Sequence, residues 1–387
     1  MTDILSTRIG VLGGGQLGKM LSLAAQPWNV RLHVLDAQHD YPAGQTGVHF
    51  TEGNYKDYDD VLAFGRGMDV ITIEIEHVNT RALHQLVREG KTVHPRPEAL
   101  DIIKDKGLQK QFYQKHDLPT SRFALYDDEQ QVRMAVQRGD WSLPLVQKAR
   151  TGGFDGRGVA IIRNENDLET KLLAGPSVVE PLVDIDKEIA VIVARNEQGE
   201  VTAYPAVEMI FDPDANLVDY LVCPAELDAT QQARASELAR RAIAAYDVCG
   251  LLAVELFLTR DGEFHINEVA PRTHNSGHHT IDANVTSQFE QQLRAVLDLP
   301  LGDTALHSPA VMVNVLGEPD QTGEARYIGA DKLLAIPGVH LHLYGKAITK
   351  PMRKMGHVTI TAATKDDAVA RIADVKASLK VVARGME

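Results

Sequence analysis

At 387 residues the chain exceeds one ordinary domain, and its 44% apolar content can fill two or three cores. Its formal net charge of −13 works against non-specific binding to nucleic acid or to an anionic membrane, because both partners are polyanions. Small phosphorylated substrates are not excluded, since a few local Lys and Arg suffice for an anion pocket.

Met1 to Gly10 lacks the basic segment and apolar run of a signal peptide. The chain also has no apolar stretch near the roughly 20 residues of a membrane span. Cys223 and Cys249 show no metal-type spacing and read as inert buried thiols, so a reducing, cytoplasmic setting is expected.

Taken in order, Arg8–Leu12 reads as a buried strand, followed by the glycine run Gly13–Gly18 and a helical pattern through Ala25. A second strand, Arg31–Leu35, ends at Asp36. Val70–Ile75 is a third, with Thr80–Glu89 helical behind it. Strands alternating with helices predict right-handed crossovers and a parallel sheet, closing near Pro95–Pro97. Glu98–His116 is expected as one helix. Beyond it, strand-like runs at Leu145–Lys148, Val159–Ile162, Val178–Val183 and Glu188–Ala194 suit a small α+β unit. Thr230–Tyr246 is an amphipathic helix with Leu238, Ala242, Ile243 and Tyr246 at helical spacing. Ala253–Leu258 and Glu263–Val269 form a hairpin across Thr259-Arg260-Asp261-Gly262. The tail past Leu299 is mostly strands and loops, with one late helix at Asp366–Leu379.

Gly13-Gly14-Gly15-Gln16-Leu17-Gly18 satisfies the dinucleotide fingerprint, with Asp36 at the acidic ribose position. The same pattern also serves another phosphate ligand or a plain tight turn before a helix. A second run, Thr151 to Gly158, holds four glycines between two strands, with Lys148 just ahead of it. Such a loop can wrap polyphosphate with its amides while Lys148 supplies a point charge; the plainer alternative is a flexible surface hairpin. No Gly-Lys-Ser/Thr leads into a helix, so this is not a Walker loop, and no kinase motif follows. The stretch Val178–Val183 is a hinge able to offer backbone groups to a base, with Glu188 near for ribose hydroxyls; by itself Glu188 reads equally as a solvated charge at a strand end.

Glu255 and Glu268 each interrupt an apolar arm of the same hairpin. Buried carboxylates are costly unless compensated, and across a tight turn the two can face each other. A hard divalent cation satisfies both; salt bridges to Lys or Arg are the structural alternative. His274 and His278 have the spacing of a zinc helix. Pro271 and Gly277 instead make the segment a loop, and the Glu of His-Glu-x-x-His is missing.

In this order and combination the motifs resemble the ATP-grasp superfamily, and within it the N5-carboxyaminoimidazole ribonucleotide synthases of purine biosynthesis. The pieces that carry the likeness are Gly-Gly-Gly-Gln-Leu-Gly, Ile73-Glu74-Ile75-Glu76, Gly-Gly-Phe-Asp-Gly-Arg-Gly, Asn267 to His278, and Arg353-Lys354-Met355-Gly356-His357. The resemblance implies an α/β and α+β chain with the ATP-grasp fold. A Rossmann-like parallel-sheet domain would span residues 1–105, an ATP-grasp domain 106–298 with a lid at about 120–185, and a small C-terminal β-rich domain 299–387.

ATP would contact Lys106, Lys148, Gly153, Phe154, Asp155, Gly156, Arg157, Gly158, Glu180, Pro181, Leu182, Val183, Glu188, Asn267 and Glu268. Two Mg²⁺ ions, replaceable by Mn²⁺, would sit on Glu255 and Glu268. Aminoimidazole ribonucleotide would meet Gln16, Leu17, Glu76, Asn275, Lys346, Arg353 and Lys354, with Lys346 and Arg353 on its 5′-phosphate. Arg272 is placed on bicarbonate, Arg157 and Asp155 beside the ribonucleotide, and Asp155 or His274 on the amine proton. Phe154 stands where relatives often have tyrosine, and Phe211 where many have histidine. A homodimer is expected by resemblance alone. Alternatives are a formate-dependent glycinamide ribonucleotide transformylase, a nicotinamide-dependent oxidoreductase built on the first glycine run, and a nucleotide-sensing module without turnover.

Overall fold

The computed structural model describes residues 3–153, 158–211 and 218–385. Its first unit is a parallel sheet of β1 (Ile9–Leu12), β2 (His33–Asp36), β3 (His49–Glu52), β4 (Val70–Ile73) and β5 (Thr92–Val93), in the order β3-β2-β1-β4-β5. β1 is buried along its whole length, as a central parallel strand covered on both faces must be. The strand order reverses between β1 and β4. The crevice beyond their carboxyl ends is therefore where this topology places a ligand, and both the first glycine run and Glu74 lie there.

The helix expected over Glu98–His116 is two helices, Pro97–Ile103 and Lys106–Lys115. The Asp105 side chain accepts from the amides of Gly107 and Leu108 at 2.8 and 3.2 Å and so starts a new helix. This puts Lys106 on its first turn. The late helix expected at Asp366–Leu379 also divides, into Lys365–Ala370 and Ile372–Ser378.

β6 (Ala124–Tyr126), β7 (Leu145–Ala149), β8 (Val159–Ile162) and β9 (Ser177–Pro181) form an antiparallel sheet in the order β6-β9-β7-β8. Its own core gathers Trp141, Leu145, Ile162 and Leu168. The remaining strands are β10 (Ile185–Arg195), β11 (Val201–Ala203), β12 (Val207–Phe211), β13 (Val218–Cys223), β14 (Gly250–Thr259), β15 (Phe264–Ala270), β16 (Ala310–Leu316), β17 (Gly323–Ile328), β18 (Val339–Leu343), β19 (Ile348–Thr349), β20 (Lys354–Thr361) and β21 (Lys380–Ala383). A large sheet runs β15-β14-β10-β12-β13-β16-β20-β18 with β11 on β10, and β19-β17-β21 form a small one. The boundary expected at residue 298 falls in a loop, yet β13 pairs with β16 across it, so one sheet joins the two regions.

Helix Ala229–Ala245 opens with a capping box between Asp228 and Gln231. It buries Leu238, Ala242 and Ile243 against Ile189, Val191, Leu252 and Val254, about 1.5–3 kcal/mol for each large side chain removed from water. That core fixes β10 and β14 from behind. Gln292 then ties the large sheet to the first unit, donating to Thr72 at 3.0 Å and accepting from the Leu251 amide at 2.8 Å. Among the described residues no helix is long and apolar enough to cross a membrane.

Candidate active site

The hairpin of β14 and β15 closes on a turn at Gly262, whose φ of 85° suits glycine. Its register sets Glu255 directly opposite Glu268, with a bulge just after the pair. Burial, reinforced by the charges of Glu268 and Glu188, pushes Glu255 up to about 8. Burial acts on Glu268 in the same direction, but the Lys106 ammonium outweighs it and holds this carboxyl below its ordinary value. Lys106 and Glu268 form an ion pair, so the lysine provides a cation where two carboxylates converge. An all-oxygen donor pair carrying like charges, already drawing in one cation, fits Mg²⁺.

A cavity beside this pair is walled by Val146, Val159, Ile161, Leu182, Ile185 and Phe257, an apolar slot between the small and large sheets. Lys148, Glu180, Pro181, Val183, Glu188 and Asn267 also line it. Lys148 donates to Asn267 Oδ1 and pairs with Glu180, both at 2.9 Å. Glu180 is shared with Lys110, whose ammonium also reaches Thr120 Oγ1 at 2.6 Å. Two ammonium groups overcome burial and hold Glu180 down to about 2. Burial and the Lys148 charge in turn lower Lys110 to about 8. Glu180 is thus an internal counter-ion, and its neighbours on the hinge offer main chain and apolar surface. Burial raises Glu188 to about 7, with the Lys148 charge acting in the opposite direction.

A second cavity shares Lys106, Phe211, Glu255 and Glu268 with the first, and continues past Gly152 and Gly153 to Glu76, Arg272, His274, Asn275 and Lys354. Arg272, which lines this cavity, pairs with Glu76 at 2.8 Å, and its buried Nε has no hydrogen-bond partner among the described residues. His274 Nδ1 accepts from the Ser276 amide at 3.3 Å, so Nε2, 3.6 Å from Glu255, carries the proton. Burial and the neighbouring Arg272 push this imidazole down to about 3, which makes it a weak proton acceptor. His278 points into the core and bonds Gln288 at 3.1 Å. The two histidines therefore share no metal-binding face. Lys346 donates to the Lys354 carbonyl at 2.7 Å, and Arg353 to the Ile348 carbonyl at 2.6 Å. These three basic residues gather where β20 begins.

The first glycine run is satisfied from within. Asp36 accepts from the Gly14 amide at 2.7 Å, while Glu74 accepts from Gly15 at 2.6 Å and also from Gly18. The carboxylates thus occupy the donors a dinucleotide phosphate would need, and Asp36 is turned away from a ribose role. Leu17 packs into the core beneath, so only its main chain and the neighbouring Gln16 remain for a ligand. Gly13 has φ +109°, and a Cβ there would lie 2.3 Å from Glu74 Cγ. Gly13→Ala is expected to cost roughly 1–3 kcal/mol, read as a lowered midpoint in urea unfolding.

Phe154, Asp155, Gly156 and Arg157 lie outside the described residues. The hairpin that carries them is as expected, with Lys148 opposite Val159 and the Ala149 amide bonded to the Gly158 carbonyl at 2.8 Å. Sequence reasoning missed three supports. Lys110 lies one helical turn after Lys106, a spacing that places both on one face. Glu74 alternates with Glu76 at the end of β4. Arg150, which grips Asp105 at 2.9 and 2.6 Å, follows Lys148 by two residues and left no pattern of its own.

Known protein families match the chain along most of its length. The ATP-grasp domain family matches residues 111–289, the ribonucleotide synthetase preATP-grasp domain 6–104, and the phosphoribosylaminoimidazole carboxylase C-terminal domain 310–371. The chain is 35% identical over 367 residues to N5-carboxyaminoimidazole ribonucleotide synthase of Bacillus subtilis, covering 94% of each. It is 40% identical over 363 residues to phosphoribosylaminoimidazole carboxylase of Schizosaccharomyces pombe, which is 91% of this chain and 64% of that protein. The chain thus spans just under two thirds of such fungal relatives. Among solved structures, N5-carboxyaminoimidazole ribonucleotide synthetase from Thermotoga maritima superposes with a TM-score of 0.89 at 41% identity, covering 98% of this chain and 100% of that one. The Aspergillus clavatus enzyme in complex with ADP and 5-aminoimidazole ribonucleotide gives 0.88 at 33% identity over 97% and 98%. The expected fold class, mixed α/β with a parallel N-terminal sheet and antiparallel sheets beyond, is the one observed.

Proposed function

The chain belongs to the N5-carboxyaminoimidazole ribonucleotide synthase family of ATP-grasp ligases, and from that premise we propose that it joins aminoimidazole ribonucleotide and bicarbonate at the expense of ATP. The products are N5-carboxyaminoimidazole ribonucleotide, ADP and phosphate. The observation that carries this reading is the meeting of two cavities at Glu255 and Glu268. A nucleotide in the apolar slot has its terminal phosphate at the wall shared with a second, basic chamber.

In this reading the slot between the sheets holds adenine, Glu188 takes the ribose hydroxyls, and Lys106 and Lys148 hold the phosphates. Glu255 and Glu268 would hold Mg²⁺, as two ions in this reading, and the metal would neutralise charge on the transferring phosphoryl group. Arg272, on the wall of the second chamber, orients bicarbonate so that one oxygen attacks the γ-phosphorus and ADP leaves. The carboxyphosphate so formed breaks into phosphate and CO₂ within the chamber. The 5-amine of the ribonucleotide then attacks the carbon of CO₂ and loses a proton. His274, pushed down to about 3, is poorly suited to take that proton; the other candidate, Asp155, lies outside the described residues. The hairpin of β7 and β8, whose Gly152 and Gly153 line the second cavity, closes over the phosphates and excludes water.

Gln16, Glu76 and Asn275 surround the ribonucleotide, and Lys346, Arg353 and Lys354 hold its 5′-phosphate. Lys346→Ala is accordingly expected to raise KM for the ribonucleotide roughly 10- to 100-fold, the worth of one charged hydrogen bond, while the KM for ATP stays within about twofold. An effect confined to ATP contradicts the placement. The deciding assay measures ADP release with aminoimidazole ribonucleotide plus bicarbonate against glycinamide ribonucleotide plus formate. Turnover only with the second pair overturns the assignment in favour of the transformylase. A homodimer in the cytoplasm completes the proposal, and light scattering tests the dimer.

A further inference from the structure

A second cluster of metal-type ligands lies away from the ATP and ribonucleotide cavities. His94 ends the parallel sheet, its amide bonded to the Ile71 carbonyl at 2.8 Å. Glu197 sits on the turn after β10, and Cys249 on the turn entering β14. One ligand atom from each of the three falls within 4.8 Å of the others. His94 is 2% exposed, and both of its ring nitrogens lack a hydrogen-bond partner. Glu197 Oε1 is 3.4 Å from His94 Nε2. A buried imidazole with two orphaned nitrogens costs free energy unless a ligand completes it.

We propose that His94, Glu197 and Cys249 bind one Zn²⁺ that braces the N-terminal sheet against the large sheet. Nitrogen, oxygen and sulfur donors together select a borderline ion of this kind over Mg²⁺. The thiolate and carboxylate neutralise the ion, and the neutral imidazole completes three protein ligands. His94 and Glu197 line an open cleft together with Arg96 and Asp298, through which water can reach the ion. The Cys249 thiol now donates to the Ala295 carbonyl at 3.3 Å, and binding of the ion displaces its proton to solvent as the zinc–sulfur bond forms. The nearby guanidinium groups do not compete for the site, because Arg96 and Arg195 both pair with Asp247, at 3.3 and 2.9 Å.

The test titrates the full chain with Co²⁺, with Mg²⁺ and ATP present in excess to occupy the Glu255–Glu268 pair. One equivalent is expected to bring up a near-ultraviolet thiolate-to-cobalt band, which Zn²⁺ then displaces. Cys249→Ser is expected to abolish the band. Glu197→Gln, on an exposed turn, is expected to keep the fold and weaken Co²⁺ binding by at least about tenfold. Zn²⁺ is also expected to raise the melting temperature of the wild type, but not of Glu197→Gln. Absence of the band at one equivalent overturns the site, as does an affinity unchanged by Glu197→Gln.

Discussion

Glu268→Gln is expected to reduce ADP release by roughly 100- to 1,000-fold, the equivalent of ~3–4 kcal/mol of barrier. The glutamine keeps the size of the side chain but removes the charge that draws Lys106 and, in the proposed reaction, Mg²⁺. Cooperative unfolding and circular dichroism are expected to stay close to wild type, because the Lys106–Glu268 pair is partly exposed, at 19% and 39%, and water can take over the lysine's solvation. The loss should therefore appear in catalysis and not in stability. Near-normal turnover in the variant would sink the metal assignment.

The opposite separation is expected at Glu180. Its side chain is 3% exposed and is the shared counter-ion of Lys110 and Lys148. Glu180→Gln leaves two buried ammonium groups without their carboxylate, a change that costs ~3–5 kcal/mol when a buried pair loses one partner. The first transition in urea should shift accordingly. Acid behaviour provides an independent check. Glu180 is held down to about 2, against about 4.3 for an unfolded glutamate. Its contribution is thus complete at neutral pH, declines as pH falls below about 5, and is gone near pH 2. The gap between wild type and variant should close over that range. A constant gap, or a cost below about 1 kcal/mol at pH 7, would show that the triad does not support the cavity wall.

The contrast between Glu268 and Glu180 also shows how much a sequence carries. Glu255 and Glu268 were legible as facing carboxylates because a strand has a strict period and a tight turn has a known reach, and their register is as expected. Lys148, the second glycine hairpin and the amphipathic helix over Thr230–Tyr246 were legible for the same reason: each is a local pattern. Glu180 was read as part of a nucleotide hinge. Its role as an internal counter-ion depends on Lys110 arriving from a different element. The single helix expected at Glu98–His116 failed at Asp105, whose carboxylate caps the second helix while gripping Arg150. Helical periodicity alone does not register such a break.

The first glycine run marks the limit most clearly. Its six residues describe a tight turn before a helix, and that much is present. Whether the turn cradles a ligand phosphate or an internal carboxylate depends on what another strand delivers to it. Here β4 delivers Glu74, which fills the amides of Gly15 and Gly18. His94 and Cys249 carry the same lesson, since neither has a metal-type spacing and the fold alone brings them together. By itself the sequence determined most of the elements, the carboxylate pair, the second glycine hairpin and the family, because these rest on short-range periodicity and on motif order. Only the tertiary structure decided which charges neutralise one another and which face a cavity. Those pairings join residues distant along the chain, and burial, which sets their energies, exists only once the sheets have packed.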